Sequence, residues 1–126
     1  MYPNDQRVIT LLENNIEEMN LLMEMSKDIE KPDDFLTDVS GMIVFRACGM
    51  SLQFITENFV KIRNLCGADF FKPYSEIPWS SVFGMRNFLS HEYGDVDALG
   101  IFNTIKTDIP PLLKTTEKIL SDIRQN

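Results

Sequence analysis

Hydrophobic residues recur at helical spacing along most of the chain. A first segment, from about Asn4 to Ile29, has an apolar face whose members step by three and four: Ile9, Leu12, Ile16, Met19 and Met23. A second segment, from about Phe35 to Cys66–Gly67, continues the pattern with Val39, Met42, Ile43, Ala47, Met50, Phe54 and Val60. No stretch alternates with period two for long enough to indicate a strand. The pattern therefore predicts an all-α protein.

Helix-breaking and capping residues mark the ends of these segments. Pro32 stops the first helix, and Asp33 or Asp34 can cap the second. Residues 67–78 are expected to form a loop, because prolines bracket them and few helical repeats run through them. Pro78 also suits the first turn of a third helix.

The last third of the chain predicts two more helices. The third covers 79–93 and ends at Gly94, a residue suited to the left-handed conformation that closes a helix. Asp95 can cap the fourth, in which Pro110 and Pro111 force a kink or a restart. Short connections favour antiparallel neighbours. We expect an up-and-down bundle of four main helices, with the last one kinked at the two prolines.

Length and charge narrow the possible functions. With 126 residues, the chain is expected to form one domain over 1–126. The formal net charge is −7, from 12 basic and 19 acidic side chains. General electrostatic binding to nucleic acid is therefore disfavoured, and an RNA or DNA role needs a small local patch. Lys61, Arg63 and Lys72 are candidates for such a patch, and a solvated helix end is the alternative for each of them.

The two cysteines indicate a reducing compartment. Cys48 and Cys66, if both lie on one helix, are about 27 Å apart at 1.5 Å per residue. A disulfide needs Cα atoms within about 7 Å, so we expect two free thiols. One histidine and two distant cysteines do not make a metal site, and no cofactor is predicted. The start, MYPNDQRVITLL, carries Asp5 and no long apolar run, so we expect a cytoplasmic protein without a signal peptide or membrane span.

The stretch RNFLSHEYGDVD holds the only histidine of the chain, His91, five residues after Arg86 and two before Tyr93. Near a helix C-terminus, His91 can exchange protons near neutral pH. Arg86 is a permanent cation whose planar donors suit a phosphate. Together they form a minimal set for cleaving RNA, since the ribose 2′-hydroxyl supplies the nucleophile. The alternative is structural: His91 caps a helix, and Arg86 pairs with a nearby carboxylate.

Longer runs around this stretch resemble the HepT-like proteins of the HEPN superfamily. They are IPWSSVFGMRNFLSHEYGDVD, IFNTIKTDIPPLLKTTEKIL and, in the second helix, RACGMSLQFITENFVKI. The family pattern is Arg, four residues, His, any residue, Tyr, and it is complete here. The second helix resembles a Gly-Glu-Ala step in the family, with Glu57 in the place of the Glu. Thr56 and Asn58 depart from the Gly and the Ala.

The resemblance implies an all-helical homodimer with two Arg–His motifs in a cleft at the interface. It implies a metal-independent endoribonuclease, the toxin of a type VII toxin–antitoxin system, with RNA as its substrate. Arg86 and His91 are then catalytic, Asn87 orients the site, and Glu57 supports it from the second helix. Glu57 as a purely structural residue is the alternative.

The resemblance also implies a partner. HepT-like toxins are encoded beside MntA-type minimal nucleotidyltransferases, the antitoxins, which transfer AMP from ATP to the motif tyrosine. Tyr93 would be that acceptor. The alternative for the whole chain is a catalytically silent helical bundle that binds a nucleotidyltransferase as a non-enzymatic module.

Overall fold

The computed structural model describes residues 6–89 and 98–125, apart from the side chains of 86–89. Within these residues there is no strand, and the prediction of an all-α fold is confirmed. The five helices are α1 Gln6–Met25, α2 Val39–Cys66, α3 Trp79–Leu89, α4 Ala98–Asn103 and α5 Ile109–Arg124. A π-helical segment, Thr104–Asp108, joins α4 to α5, so these two helices and the segment correspond to the predicted fourth helix.

Hydrogen bonds fix the register of α1 against its two neighbours. Asn15 Nδ2 donates to the carbonyl oxygen of Ile55 at 3.0 Å, and Ser51 donates to Glu18 at 2.7 Å, so α1 and α2 are antiparallel. At the other side of α1, Lys106 Nζ donates to the carbonyl oxygen of Ser26 at 2.9 Å. An ion pair between Glu13 and Arg124 lies near the opposite end of the same interface, so α1 and α5 are also antiparallel.

The start of α2 differs from the prediction. The helix begins at Val39 rather than near Phe35, and its cap is Asp38, whose carboxylate accepts from the N–H of Gly41 at 2.7 Å. Residues 32–35 form a short 3₁₀ turn instead. The Asp34 carboxylate serves that turn by accepting from the backbone N–H of Glu30 at 2.8 Å. The prediction that Asp33 or Asp34 caps α2 is therefore wrong.

The end of α1 is also earlier than predicted, because the helix stops at Met25 and not near Ile29. The Ser26 hydroxyl donates to the carbonyl oxygen of Leu22 at 2.8 Å, and the chain then turns. The N–H of Ile29 donates to the carbonyl oxygen of Ser26 at 3.0 Å. Ile29 stays in the core through this turn rather than through helical periodicity.

Residues 67–78 contain regular structure where a loop was predicted. Gly67 ends α2 with φ of 88°, a conformation that favours glycine. A 3₁₀ helix, Ala68–Tyr74, follows and buries Phe70, Phe71 and Tyr74. The Tyr74 hydroxyl donates to Asp122 of α5 at 2.7 Å. Burial and this carboxylate raise the pKa of Tyr74, so the phenol stays protonated and holds the segment against α5.

The π segment explains how the chain passes its two prolines. Pro110 lacks an N–H, and in a regular helix its ring would clash with the carbonyl four residues earlier. Here the N–H of Ile109 donates to the carbonyl oxygen of Thr104, five residues back, and the wider turn lets the helix continue. The interruption predicted at Pro110 and Pro111 is present as a π turn just before them.

The composition of α2 also meets the length and hydropathy that a membrane span needs. The same composition is expected of a helix that packs on two neighbours, and Leu52, Ile55 and Phe59 of α2 are fully buried in the core. The length and hydropathy of α2 are therefore weak evidence for a membrane span. The expectation of a cytoplasmic protein stays a prediction.

The start of α2 tolerates only glycine at position 41. A Cβ at Gly41 would lie 2.1 Å from the carbonyl oxygen of Asp34, whereas a Cβ at Gly49 would have no atom within 4 Å. We expect Gly41→Ala to lower the free energy of unfolding by about 1–3 kcal/mol. Gly49→Ala, the matched control, should raise it by up to about 1 kcal/mol, because alanine is the better helix former. Urea denaturation followed by circular dichroism measures both, and equal effects of the two substitutions would contradict the close contact.

Candidate active site

Trp79 anchors the first turn of α3. Its ring packs against Phe71 with centroids 4.3 Å apart and against Phe59 of α2 at 5.4 Å. Its Nε1 donates to the carbonyl oxygen of Tyr74 at 2.9 Å. Aromatic contacts and one hydrogen bond therefore fix where α3 begins.

One turn later, Phe83 continues the contact with α2. Its ring lies 5.5 Å from that of Phe71, and the Arg63 guanidinium carbon is 4.5 Å from its centroid. This cation–π contact holds α2 and α3 together. It also occupies Arg63, one of the three cations considered for a nucleic-acid patch.

The other two patch candidates have surroundings of their own. Lys72 forms an exposed ion pair with Asp69 at 3.1 Å. Lys61 is exposed and lines a shallow groove with Arg7, at the crossing of the start of α1 and the end of α2.

The backbone of Arg86 and Asn87 belongs to α3. Arg86 follows Phe83 by three residues and Trp79 by seven, so its Cα lies on the stripe of α3 that faces α2. The side chains of Arg86 and Asn87, and the whole of His91 and Tyr93, lie outside the described residues. Their predicted convergence stays a prediction.

Glu57 lies on the outward face of α2. Its side chain is exposed, and its Oε1 accepts from Gln53 Nε2 at 3.4 Å. The residues on either side, Thr56 and Asn58, are buried. The role of Glu57 as support for the motif stays a prediction.

Asn58, one of the two departures from the family pattern, faces α1. Its Nδ2 donates to Oδ1 of Asn15 at 3.0 Å, while Asn15 Nδ2 donates to the carbonyl oxygen of Ile55. Both side chains are buried, so the pair satisfies polar groups that would otherwise be costly to bury. Asn58 therefore belongs to the contact between α1 and α2. Sequence reasoning missed this pair, although Asn15 falls on the apolar stripe between Leu12 and Met19.

Thr56, the second departure, lies on the α3 side of α2, three residues before Phe59. It is fully buried, and its hydroxyl has no hydrogen-bond partner in the described part of the chain. The threonine fills space that a glycine would leave open. It adds apolar contact between the helices and a buried hydroxyl that costs free energy.

The two cysteines are free and buried, both on α2, as predicted. Burial raises the pKa of the Cys48 thiol to about 11, so this thiol is neutral and unreactive near neutral pH. In the described ranges, no three histidine, cysteine or carboxylate side chains are grouped closely enough to hold a metal ion.

Comparison with known proteins agrees with the motif. A family model described as "Ribonuclease HepT-like" matches residues 7–119. The chain is 36% identical over 109 residues to "Probable ribonuclease HepT" of Thermococcus cleftensis, covering 86% of this chain and 91% of the relative. It is also 36% identical over 109 residues to "Putative RNase TTE0752" of Caldanaerobacter subterraneus subsp. tengcongensis, covering 86% and 90%.

A third relative, "Putative RNase MJ1216" of Methanocaldococcus jannaschii, is 32% identical over 108 residues, covering 86% of this chain and 83% of the relative. No solved structure matches the chain. The family model covers most of the chain, including the aromatic anchor of α3 and the complete Arg86–His91–Tyr93 pattern. The predicted family and enzyme class, endoribonuclease, are confirmed: the chain belongs to the HepT-like ribonuclease family.

Proposed function

We propose that this protein is a metal-independent endoribonuclease and the toxin of a type VII toxin–antitoxin system. The observation that carries the proposal is the complete Arg86–His91–Tyr93 motif in a chain of the HepT-like ribonuclease family. The helical backbone at Arg86, on a helix that packs on α2 through Trp79 and Phe83, supports the proposal by giving the Cα of Arg86 a fixed position.

The proposed reaction uses the RNA as its own nucleophile. The ribose 2′-oxygen bonds to the adjacent phosphorus, the bond from phosphorus to the 5′-oxygen breaks, and the 5′-oxygen leaves with a proton. His91 removes the 2′-hydroxyl proton or delivers a proton to the leaving oxygen. Arg86 holds the phosphate, whose negative charge grows during attack. Asn87 orients the site, and Glu57 supports it from α2.

A homodimer completes this chemistry. One histidine per chain means that a symmetric pair brings two histidines to one cleft, as acid and base. The outward face of α2 supports such pairing, because it exposes large apolar side chains: Val39 (72%), Met42, Ile43, Met50 (75%) and Phe54. Apolar side chains in this number along one helix favour contact with another protein surface. We assign this α2 face to the second copy.

Regulation completes the proposal. An MntA-type nucleotidyltransferase antitoxin transfers AMP from ATP to Tyr93. The adenylyl group adds negative charge and bulk two residues after His91, and both oppose the approach of an RNA backbone.

RNA cleavage by the purified protein in the presence of a chelator tests the enzyme. We expect the wild type to cut total RNA or tRNA. His91→Ala should lose at least about 100-fold in rate, the usual range for a missing proton-transfer group. Arg86→Ala should lose about 100-fold or more, because the charge growing on the phosphate is no longer stabilised. Lys114→Ala, an exposed cation on α5, is the control and should cleave like the wild type.

Two results would contradict this assignment. Equal cleavage by the wild type and His91→Ala would mean that His91 does not transfer the proton. A folded wild-type dimer without any cleavage would favour the silent module that binds a nucleotidyltransferase.

The dimer face is tested by placing a charge in it. Met50→Glu should shift the protein from dimer to monomer in sedimentation equilibrium, because a carboxylate at the centre of an apolar interface loses its hydration. Leu21→Glu makes the same change at an exposed apolar position on α1 and should remain a dimer. A Met50→Glu protein that stays fully dimeric would place the interface elsewhere.

Mass spectrometry tests whether Tyr93 is the acceptor of AMP. With a cognate nucleotidyltransferase and ATP, the wild type should gain the mass of one or more AMP groups and lose ribonuclease activity. Tyr93→Phe should gain none, because it lacks the acceptor oxygen. Equal mass gain in Tyr93→Phe would show that the acceptor is another residue.

A further inference from the structure

A cavity of about 350 Å³ lies between α3 and the π segment. On the α3 side it is lined by Ser81, Val82 and Met85, and on the other side by Thr104, Asp108 and the start of α5. Its walls are mainly apolar, with polar groups at a few points. This composition is typical of a site for a small, partly polar ligand.

The polar groups of the cavity have unused hydrogen-bonding capacity. Thr104 is only 7% exposed and lines the cavity, and its hydroxyl bonds to none of the residues in 6–89 and 98–125. Glu76 accepts from Thr115 Oγ1 at 3.1 Å through one oxygen, Oε2, which leaves its second oxygen for a ligand. Asp108 adds a second carboxylate. The cavity is therefore rich in hydrogen-bond acceptors.

The cavity adjoins the motif along the chain. Val82 lines it and precedes Arg86 by four residues, so the Cα atoms of these two residues lie on the same face of α3, one turn apart. A group bound in the cavity therefore lies beside the residue proposed to hold the phosphate. A single nucleotide of RNA is long enough to join the two.

We propose that this cavity binds one base of the RNA, next to the cleaved phosphate, and selects a base with an exocyclic amino group. The inference rests on the ribonuclease function proposed above. Ribonucleases and other RNA-binding proteins commonly take single-stranded bases out of the stack and bind their edges. The apolar walls formed by Val82 and Met85 contact the face of the base, while Asp108, Glu76 and Thr104 meet its edge.

The hydrogen-bond acceptors of the cavity determine which base it prefers. A carboxylate has no proton to donate, so it pairs with N–H groups. Adenine, cytosine and guanine each carry an amino group, whereas uracil carries carbonyl oxygens beside its single N–H. These oxygens would face the carboxylates of Asp108 and Glu76 and repel them. Uracil is therefore the disfavoured base.

Cleavage of a randomised single-stranded RNA tests the preference. Sequencing of the ends gives the base frequencies around each cut. For the wild type we expect uracil to be depleted about tenfold at one position flanking the cut, the effect of one good hydrogen-bonded base contact. Asp108→Asn and Thr104→Val should reduce the depletion to about twofold or less. Thr107→Val, an exposed threonine of the same π segment, is the control and should keep the wild-type pattern.

A binding measurement separates this inference from the ribonuclease function. His91→Ala protein is titrated with fluorescent oligonucleotides of adenosine, cytidine or uridine, and anisotropy reports binding. We expect tighter binding of the adenosine and cytidine oligomers than of the uridine oligomer, with the difference lost in Asp108→Asn. Cleavage without base preference would contradict base binding in the cavity and leave the ribonuclease function supported. Selective binding without cleavage would support base binding in the cavity and contradict the ribonuclease function. Equal binding of all three oligomers would contradict base binding in the cavity.

Discussion

The contact of Trp79 with Phe59 and Phe71 is the interaction on which the candidate site depends. It fixes the first turn of α3 on α2, and the indole N–H ties the same turn to the carbonyl of Tyr74. Everything that α3 carries after this turn is placed by helical geometry, including the Cα of Arg86. Loss of the aromatic contact would therefore shift the backbone of Arg86 relative to α2, even though none of these rings takes part in chemistry.

The π segment is the second constraint, and it lies across the cavity from the Val82–Met85 side of α3. Two adjacent prolines would break an α-helix, but the wider turn at Thr104–Asp108 keeps α4 and α5 continuous. The same turn sets Thr104 and Asp108 beside α3, where they line the cavity. A helix without the prolines would need no wider turn and would present different residues at this point.

Periodicity predicted the helices, because apolar positions in steps of three and four leave little choice of structure. It failed at the start of α2, where Asp34 and Asp38 are equally good caps in sequence. The contact of Gly41 with the carbonyl of Asp34 belongs to the fold and has no local signal. Residues 68–74 were missed as a core element, because a 3₁₀ helix with an internal proline lacks the α-helical period. The motif itself could be recognised from its residues, whereas the acceptors of the cavity come from two segments distant in sequence, Glu76 and Thr104–Asp108, and meet only in the fold.

Charge links the proposed site to the proposed dimer. A chain of net charge −7 repels RNA at long range, so binding needs cations concentrated at one place. Arg63 is stacked on Phe83, and the charge of Lys72 is offset by its exposed pair with Asp69. In the proposed dimer, two Arg86 side chains in one cleft would supply the positive charge that a single chain lacks. If the chains pair as proposed, the dimer would affect RNA binding as well as catalysis, since each separated chain would keep one Arg86, one His91 and an unfavourable net charge.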